Sequence, residues 1–418
     1  MKILMTDGSS TSARQSITCL GPQHTIDILD PSSLCQCRFS RFVKRWHRCP
    51  PFSRQPQEYL QFLVERIDTG SYDILFPTHE QIYLLARFQQ MFASRIAMAV
   101  PPFDVLDRTM NKARFAELLD ETVMPQPAYR IVQTKEELLS CDSFPCWIKL
   151  DFSTAGQGVR YAASRSELES ISNELERREW FDGTRQVVVQ AHVEGSKRGA
   201  TGVFQNGELI AFHVCQSRSI GIGGSANAKI TVHDPEMKQL ISRFGSQLHW
   251  HGAMCLEYVY DDRENRRSIF ECNPRIGETV LAYESGVNLC QAWIDASLRT
   301  AKSNEFMGTA GVKTHLGFLT LTSMALNGAS RRQILGELFR LMRSQGDYEN
   351  SRDEITRWPS DWLSIFPFLG VTALLLCNPK AAARLVQKTV ENYSLAPDGA
   401  KKIRQMKEPT DVDDSIST

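Results

Sequence analysis

Short apolar runs separated by longer polar stretches open the chain. Residues 2–6, 24–29, 73–76 and 95–99 read as strands, with helical stretches such as 57–66 and 80–90 between them. Strands alternating with helices predict a parallel α/β domain over residues 1–104, closed by Pro101-Pro102. Next, Asp107 reads as an N-cap. Phe115, Leu118 and Leu119 recur at helical spacing until Pro125 and Pro127 end the helix. From about 128 to 300 the pattern is mostly strand and hairpin. Strands are expected at 146–150 and 186–190. Asn206-Gly207 signals a hairpin between 201–205 and 208–214, and a last hairpin joins 254–260 to 268–273. Helices are expected at 165–179 and 235–248. Beyond 300 the chain reads as amphipathic helix, for example at 331–343 and 379–391. The polar, acidic end from about Met406 reads as a disordered tail over 406–418.

One segment breaks this pattern. Residues 362–377, WLSIFPFLGVTALLLC, carry no charge, but a spanning helix needs roughly 20 residues and Pro367 lies inside. A buried C-terminal helix is the plain reading. An interfacial anchor, with weak membrane association, is the other. Lys+Arg and Asp+Glu are both 48, so the overall balance points to neither nucleic acid nor a charged membrane surface. Eleven scattered cysteines and a first apolar run too short for a signal peptide point to a reduced, cytoplasmic setting.

The chemistry concentrates in the last hairpin. Pairing Tyr260 with Ser268 and counting outward places Glu257 opposite Glu271 and Cys255 opposite Asn273. Opposed Cβ atoms lie ~4.5–5.5 Å apart, and alternation puts Glu257, Glu271 and Asn273 on one face. Met254, Leu256, Tyr258, Phe270 and Cys272 fall on the other face and read as core. Two facing carboxylates repel, and a hard divalent cation removes that repulsion. Three oxygen donors suit Mg²⁺ or Mn²⁺, against the plainer reading of a solvated acidic patch. A second candidate is the small-residue loop 153–158, with Ser153, Gly156 and Gly158, after Lys149. Its backbone N–H groups could approach an anion closely. A third is Arg218 beside the glycine-rich stretch 220–225, which suits a mobile cover. The first strand is followed by one glycine, not the three of a dinucleotide fingerprint, and no Walker sequence occurs.

Taken in order, Lys112, Lys149 before its loop, a hinge-like Gln190–Gly195, Glu257 and Glu271-Cys272-Asn273-Pro274-Arg275 resemble the ATP-grasp superfamily. The chain is similar to its carboxylate–amine ligase and carbamoyl-phosphate synthase-like branch. The resemblance spans about residues 1–300. It implies a pre-ATP-grasp domain at 1–104 and an ATP-grasp domain at 105–300 with lobes 105–190 and 191–300, while the amphipathic pattern beyond predicts a helical C-terminal region at 301–405. It implies ATP and Mg²⁺ (or Mn²⁺) as cofactors. Lys112 and Lys149 would contact phosphates, and Ser153, Gly156 and Gly158 would close over them. Backbone groups around Gln190, Ala191 and Val193 would read the adenine edge. Glu257, Glu271 and Asn273 would hold the metal, and Arg275 and Arg218 would stabilise the transferring phosphoryl group. The hinge departs from the pattern. Ala191 stands where the family commonly has Glu, and Ser196-Lys197-Arg198 occupies the place of a ribose-binding acid, with Glu194 nearby.

The expected activity is an ATP-dependent ligase that phosphorylates a carboxylate and couples it to an amine, with small-molecule partners. The alternatives are a carboxylase or carbamoyl-phosphate-type enzyme, and a nucleotide-binding module without turnover. Other signals carry less. Cys35, Cys37, His47 and Cys49 lack zinc-finger spacing. His249 and His251 have no third ligand near in sequence. The basic, aromatic-interleaved run from Arg38 to Arg48 reads most simply as a solvated face.

Overall fold

The computed structural model describes residues 1–407 except 153–155, 157, 184, 222–223, 225 and 396. Of residues 388, 392, 393 and 397 it describes the backbone alone. Residues 408–418 of the expected tail, and Ser153, therefore lie outside the described residues.

The N-terminal sheet is parallel, with β1 (Lys2–Met5), β2 (Thr25–Asp30), β3 (Val43–Arg48) and β4 (Ile74–Phe76) in the order β3-β2-β1-β4. Buried runs such as Ile3-Leu4-Met5 and Ile74-Leu75-Phe76 are what a sheet covered on both faces requires. The basic run turned out to contain the edge strand β3. Lysine and arginine on an edge discourage further strand pairing, and the Arg38 guanidinium lies 5.0 Å from the Trp46 ring centre. Residues 95–99 form no strand, only a single bridge from Ala97 to Ile74.

The helix expected from Asp107 is instead two helices, Phe103–Met110 and Lys112–Glu121. The backbone extends at Asn111 (ψ 120°), whose side chain caps the second helix by accepting from the Arg114 N–H at 3.0 Å. Asp107 lies buried inside the first helix and binds Tyr83, Arg114 and Arg404.

A second sheet holds β5 (Tyr129–Val132), β6 (Cys146–Leu150), β7 (Val159–Ala162) and β8 (Val187–Ala191), ordered β5-β8-β6-β7 and antiparallel throughout. Cys146, Ile148, Leu150, Val187 and Val189 face a separate small core beneath the helix Arg165–Arg177. The third sheet has seven strands: β9 (Ser196–Gln205), β10 (Glu208–Ile220), β11 (Ala226–Thr231), β12 (Gly252–Asp261), β13 (Arg266–Asn273), β14 (Lys313–His315) and β15 (Ser351–Asp353), ordered β13-β12-β9-β10-β11-β14-β15. Its core merges with that of the N-terminal domain.

The C-terminal region is therefore not wholly helical, because β14 and β15 extend the third sheet past β11. It also ties the molecule together. Arg14 and Asp361, each about 1% exposed, meet at 2.7 Å, and Asp361 also accepts from the Ser40 hydroxyl and the Arg41 N–H. Glu354, fully buried, accepts from Lys229 at 2.9 Å, from Thr314, and from Gln15 on the N-terminal domain. The apolar segment corrects its plain reading. Of its helix Ile365–Cys377 only Thr372 and Leu375 are buried. Pro367 sits in the first turn, where an N–H has no intrahelical acceptor, so the helix tolerates it. Among the described residues no helix is long and apolar enough to cross a membrane.

Candidate active site

The last hairpin keeps the expected register where the chemistry lies and loses it toward the turn. Glu257 pairs with Glu271 and Cys255 with Asn273, but Tyr260 pairs with Arg267 rather than Ser268. The step from Glu257/Glu271 to Tyr258/Ile269 spans one residue on β12 and two on β13, so Phe270 is the extra residue of a β-bulge. A bulge re-aims a side chain. Met254, Leu256, Tyr258 and Cys272 are buried as expected, whereas Phe270 lines a cleft.

That cleft is lined by Lys112, Phe152, Phe270, Glu271, Asn273 and Arg275. His79 and Glu80 of the N-terminal domain close one side, and Leu395 donates its N–H to Glu80. Lys112 begins its helix and anchors it through its N–H to the Asp151 carbonyl at 2.8 Å.

Lys149 enters from the second sheet. It pairs with Val188, which makes Gln190 its diagonal neighbour on the same face. Its Nζ donates to Gln190 Oε1 at 2.6 Å and to the Phe270 carbonyl at 3.2 Å, and lies 4.9 Å from the Phe270 ring centre. Burial pushes its pKa down to about 8. Glu271 and Glu257 oppose that shift and the Lys112 and Lys197 charges add to it.

Lys197, noted in the sequence only as a departure from a pattern, is a central group. β9 pairs with β12 so that Lys197 faces Val259 and lies diagonal to Glu257. Its Nζ sits 2.6 Å from Glu257 Oε2 and donates to the Gly224 carbonyl at 2.9 Å. Burial alone would raise the Glu257 pKa. Lys197, then Arg275 and Lys149, overcome that and hold it below the usual carboxylate range. Burial likewise works against the Lys197 charge, and Glu257 raises its pKa in spite of it. Glu257 Oε1 accepts from the Asn273 amide at 3.1 Å, and Asn273 Oδ1 accepts from Arg275 at 3.1 Å. Glu257, Asn273 and Arg275 thus form one chain of contacts, with Glu271 paired across the hairpin. All three expected metal donors are oxygens on one strand pair, which is the donor chemistry a hard divalent cation takes. Among the described residues there is no group of three or more His, Cys, Asp or Glu side chains placed to hold a metal. The set therefore depends on the Asn273 oxygen as third donor.

At the hinge, Gly195 (φ 145°) crosses the hairpin so closely that a Cβ would stand 2.3 Å from the Tyr260 carbonyl oxygen. The Ala191 and His192 N–H groups are taken by the carbonyls of Ala128 (2.8 Å) and Pro145 (3.1 Å), which removes both donors from the set expected to face adenine. Val193 is half-buried beyond them. The His192 ring accepts from the Trp147 indole at 3.1 Å and meets Tyr161 edge to face at 5.6 Å, an aromatic group that periodicity did not single out. Gly156 takes φ 72°, and the Gly158 carbonyl accepts from Leu150 N–H at 2.9 Å, closing the described part of the loop after Lys149. Arg218 is not brought to the hairpin carboxylates. Its described contacts are with Asp347, at 3.2 Å.

No protein-family profile matches the chain. Among curated proteins it is 24% identical over 205 residues to the multifunctional protein URA2 of Saccharomyces cerevisiae, covering 45% of this chain and 9% of that one. It is 21% identical over 264 residues to the carbamoyl phosphate synthase large chain of Thermus thermophilus, covering 59% and 25%. The chain thus spans a quarter or less of the length of these relatives. Among solved structures it resembles N5-carboxyaminoimidazole synthetase from Staphylococcus aureus complexed with ADP (TM-score 0.59, 15% identity, 78% of this chain and 85% of that one). It also resembles L-amino acid ligase from Bacillus licheniformis (TM-score 0.56, 14% identity, 75% and 79%). Identities this low speak for the fold alone, and the parallel domain, the antiparallel second sheet and the largely antiparallel third sheet with the cleft beside them have the ATP-grasp fold.

Proposed function

We propose that the chain is an ATP-dependent carboxylate–amine ligase. The observation that carries this reading is the convergence of Lys112, Lys149 and Arg275 on the face that holds Glu257, Glu271 and Asn273. Phosphoryl transfer needs positioning and charge neutralisation more than covalent help from the protein. Lys149 and Lys112 bind the triphosphate, and Arg275 takes up charge on the transferring group. Glu257, Glu271 and Asn273 would hold magnesium, which would supply positive charge against the phosphates.

A substrate carboxylate oxygen bonds to the γ-phosphorus as the bond to the ADP oxygen breaks, leaving an acyl phosphate. An amine then attacks the acyl carbon. The C–N bond forms, the C–O bond to phosphate breaks, and the amine gives up a proton. The acyl phosphate is readily hydrolysed, and a cover over the cleft protects it from water. The resemblance to L-amino acid ligase supports an amide product. The resemblance to the carbamoyl phosphate synthase large chain supports the variant in which bicarbonate is the carboxylate.

The test is trapping with hydroxylamine, which converts any acyl phosphate to a hydroxamate whatever the native amine. Mg-ATP with pooled carboxylic acids should yield hydroxamate and ADP, and Glu271→Gln should abolish both. A second reading, nucleotide binding without turnover, is favoured by the Lys197–Glu257 ion pair, which already neutralises one metal donor. It requires tight Mg-ATP binding with no ADP release from any acid.

A further inference from the structure

We propose that the helix Ile365–Cys377 and the preceding turn form a docking surface for an anionic lipid bilayer. This surface is separate from the cleft, and the proposal does not depend on the reaction assigned there. Trp358 stands at the tip of a tight turn closed by the Arg357–Asp361 bridge and is 68% exposed. Trp362 and Phe366 pack edge to face at 6.1 Å and are both about half exposed, as is Leu369. The neighbouring helix Arg331–Met342 runs antiparallel to this one, because Arg331 at its start donates to the Cys377 carbonyl at the other's end. Its exposed Phe339 and Met342 lie in its last turn, toward the Trp362 end of the pair. Single exposed apolar residues need no explanation, but five large exposed apolar side chains, two of them tryptophans, within residues 358–374 mark an interaction site.

Charge selects the occupant. Arg331, Arg332, Arg343, Lys380 and Arg384 are exposed and have no carboxylate partner among the described residues. Between residues 331 and 384 there are six acidic residues. Glu354 and Asp361 are buried, Glu337 pairs with Arg340, Asp347 with Arg218, and Asp353 lies 3.6 Å from His315. Only Glu349 remains outward and without such a partner. A second copy docked through the same patch would set arginine rims against each other. An anionic bilayer offers apolar depth under negative headgroups, and tryptophan favours that boundary. The helix has 13 residues, so it lies along the interface rather than through it.

The test is co-sedimentation of the full chain with vesicles of phosphatidylcholine alone or mixed with phosphatidylserine. Binding should be at least about tenfold stronger on the mixed vesicles and should weaken with salt, since each arginine near such a surface is worth about fivefold. Trp362→Ser with Phe366→Ser should remove binding. Arg332→Gln with Arg384→Gln, changes at exposed positions that leave the helix packing intact, should weaken it about tenfold or more. Equal binding to both vesicle types, no binding, or binding unchanged in the arginine variant overturns the proposal. So does a dimer in sedimentation velocity that Trp362→Ser dissociates, because the patch would then be covered by a second copy.

Discussion

Each of the two sheets that flank the cleft contributes a lysine, one buried and one half-buried, and they are held in opposite ways. Lys149, on the second sheet, is met by neutral oxygens of Gln190 and Phe270, and burial lowers its pKa to about 8. Lys197, on the third, is met by the Glu257 carboxylate, which raises its pKa against the effect of burial. A desolvated cation without a counter-charge gains most from an arriving anion, whereas one already paired gains little. The second sheet is therefore the one that gains more from an arriving anion. The third is arranged to hold its own carboxylate until something competes for it.

The comparison can be broken in several places. The largest expected effect is chemical. Glu271→Gln should lower ADP release about 10²–10³-fold in a coupled ADP assay, the range seen when one preorganised electrostatic partner of a transition state is lost. Retained turnover would remove Glu271 from the machinery. Lys149→Met should cost somewhat less, about 10²-fold in kcat/KM for ATP. The wild-type kcat/KM should fall as pH rises through about 8, and the variant should lack that limb in a pH profile.

The two lysines should also differ in the sign of their effect on stability. Lys197→Met leaves Glu257 without its cation and should destabilise by ~1–3 kcal/mol in urea titration, with added Mg²⁺ recovering part of the loss. Lys149→Met removes an unpaired buried charge but leaves two acceptors unmet, so it should be neutral or stabilising by ~1 kcal/mol. The smallest effect is in pH. Because the folded pKa of Lys149 lies below its unfolded value, its contribution makes stability rise between about pH 8 and the ordinary lysine range. The raised pKa of Lys197 makes its contribution present below the ordinary lysine value and lost as pH climbs through the higher folded one. The difference between the two single variants in urea midpoint, measured across that range, checks both signs.

What could be read from the residues in advance was largely local. Alternation placed Glu257 against Glu271 and Asn273 on the same face, because pairing inside one hairpin is determined over a few residues. The strand Cys146–Leu150 stood out as a compact apolar run with one lysine. The bulge at Phe270 did not, since a bulge depends on how β13 fits its neighbour rather than on its own pattern. The Lys197–Glu257 pair joins residues 60 positions apart in sequence and follows from the β9–β12 register, which no local signal encodes. The strand β3 was hidden by its charges. The uniformly apolar stretch at 362–377 has no polar face to show which side is exposed, and periodicity is silent there.

The contacts of Arg14 and Lys229 bear on how this chain could be shortened. Both cations are shut away from water, and Asp361, which meets Arg14, and Glu354, which joins Glu278 on Lys229, arrive from the far end of the sequence. A fragment stopped at residue 300 would keep the hairpin carboxylates and their lysines, yet leave Arg14 in its interior without Asp361 and Lys229 with Glu278 but not Glu354. The cleft-bearing core is thus not a detachable module: residues beyond 350 complete the electrostatics around Arg14 and Lys229.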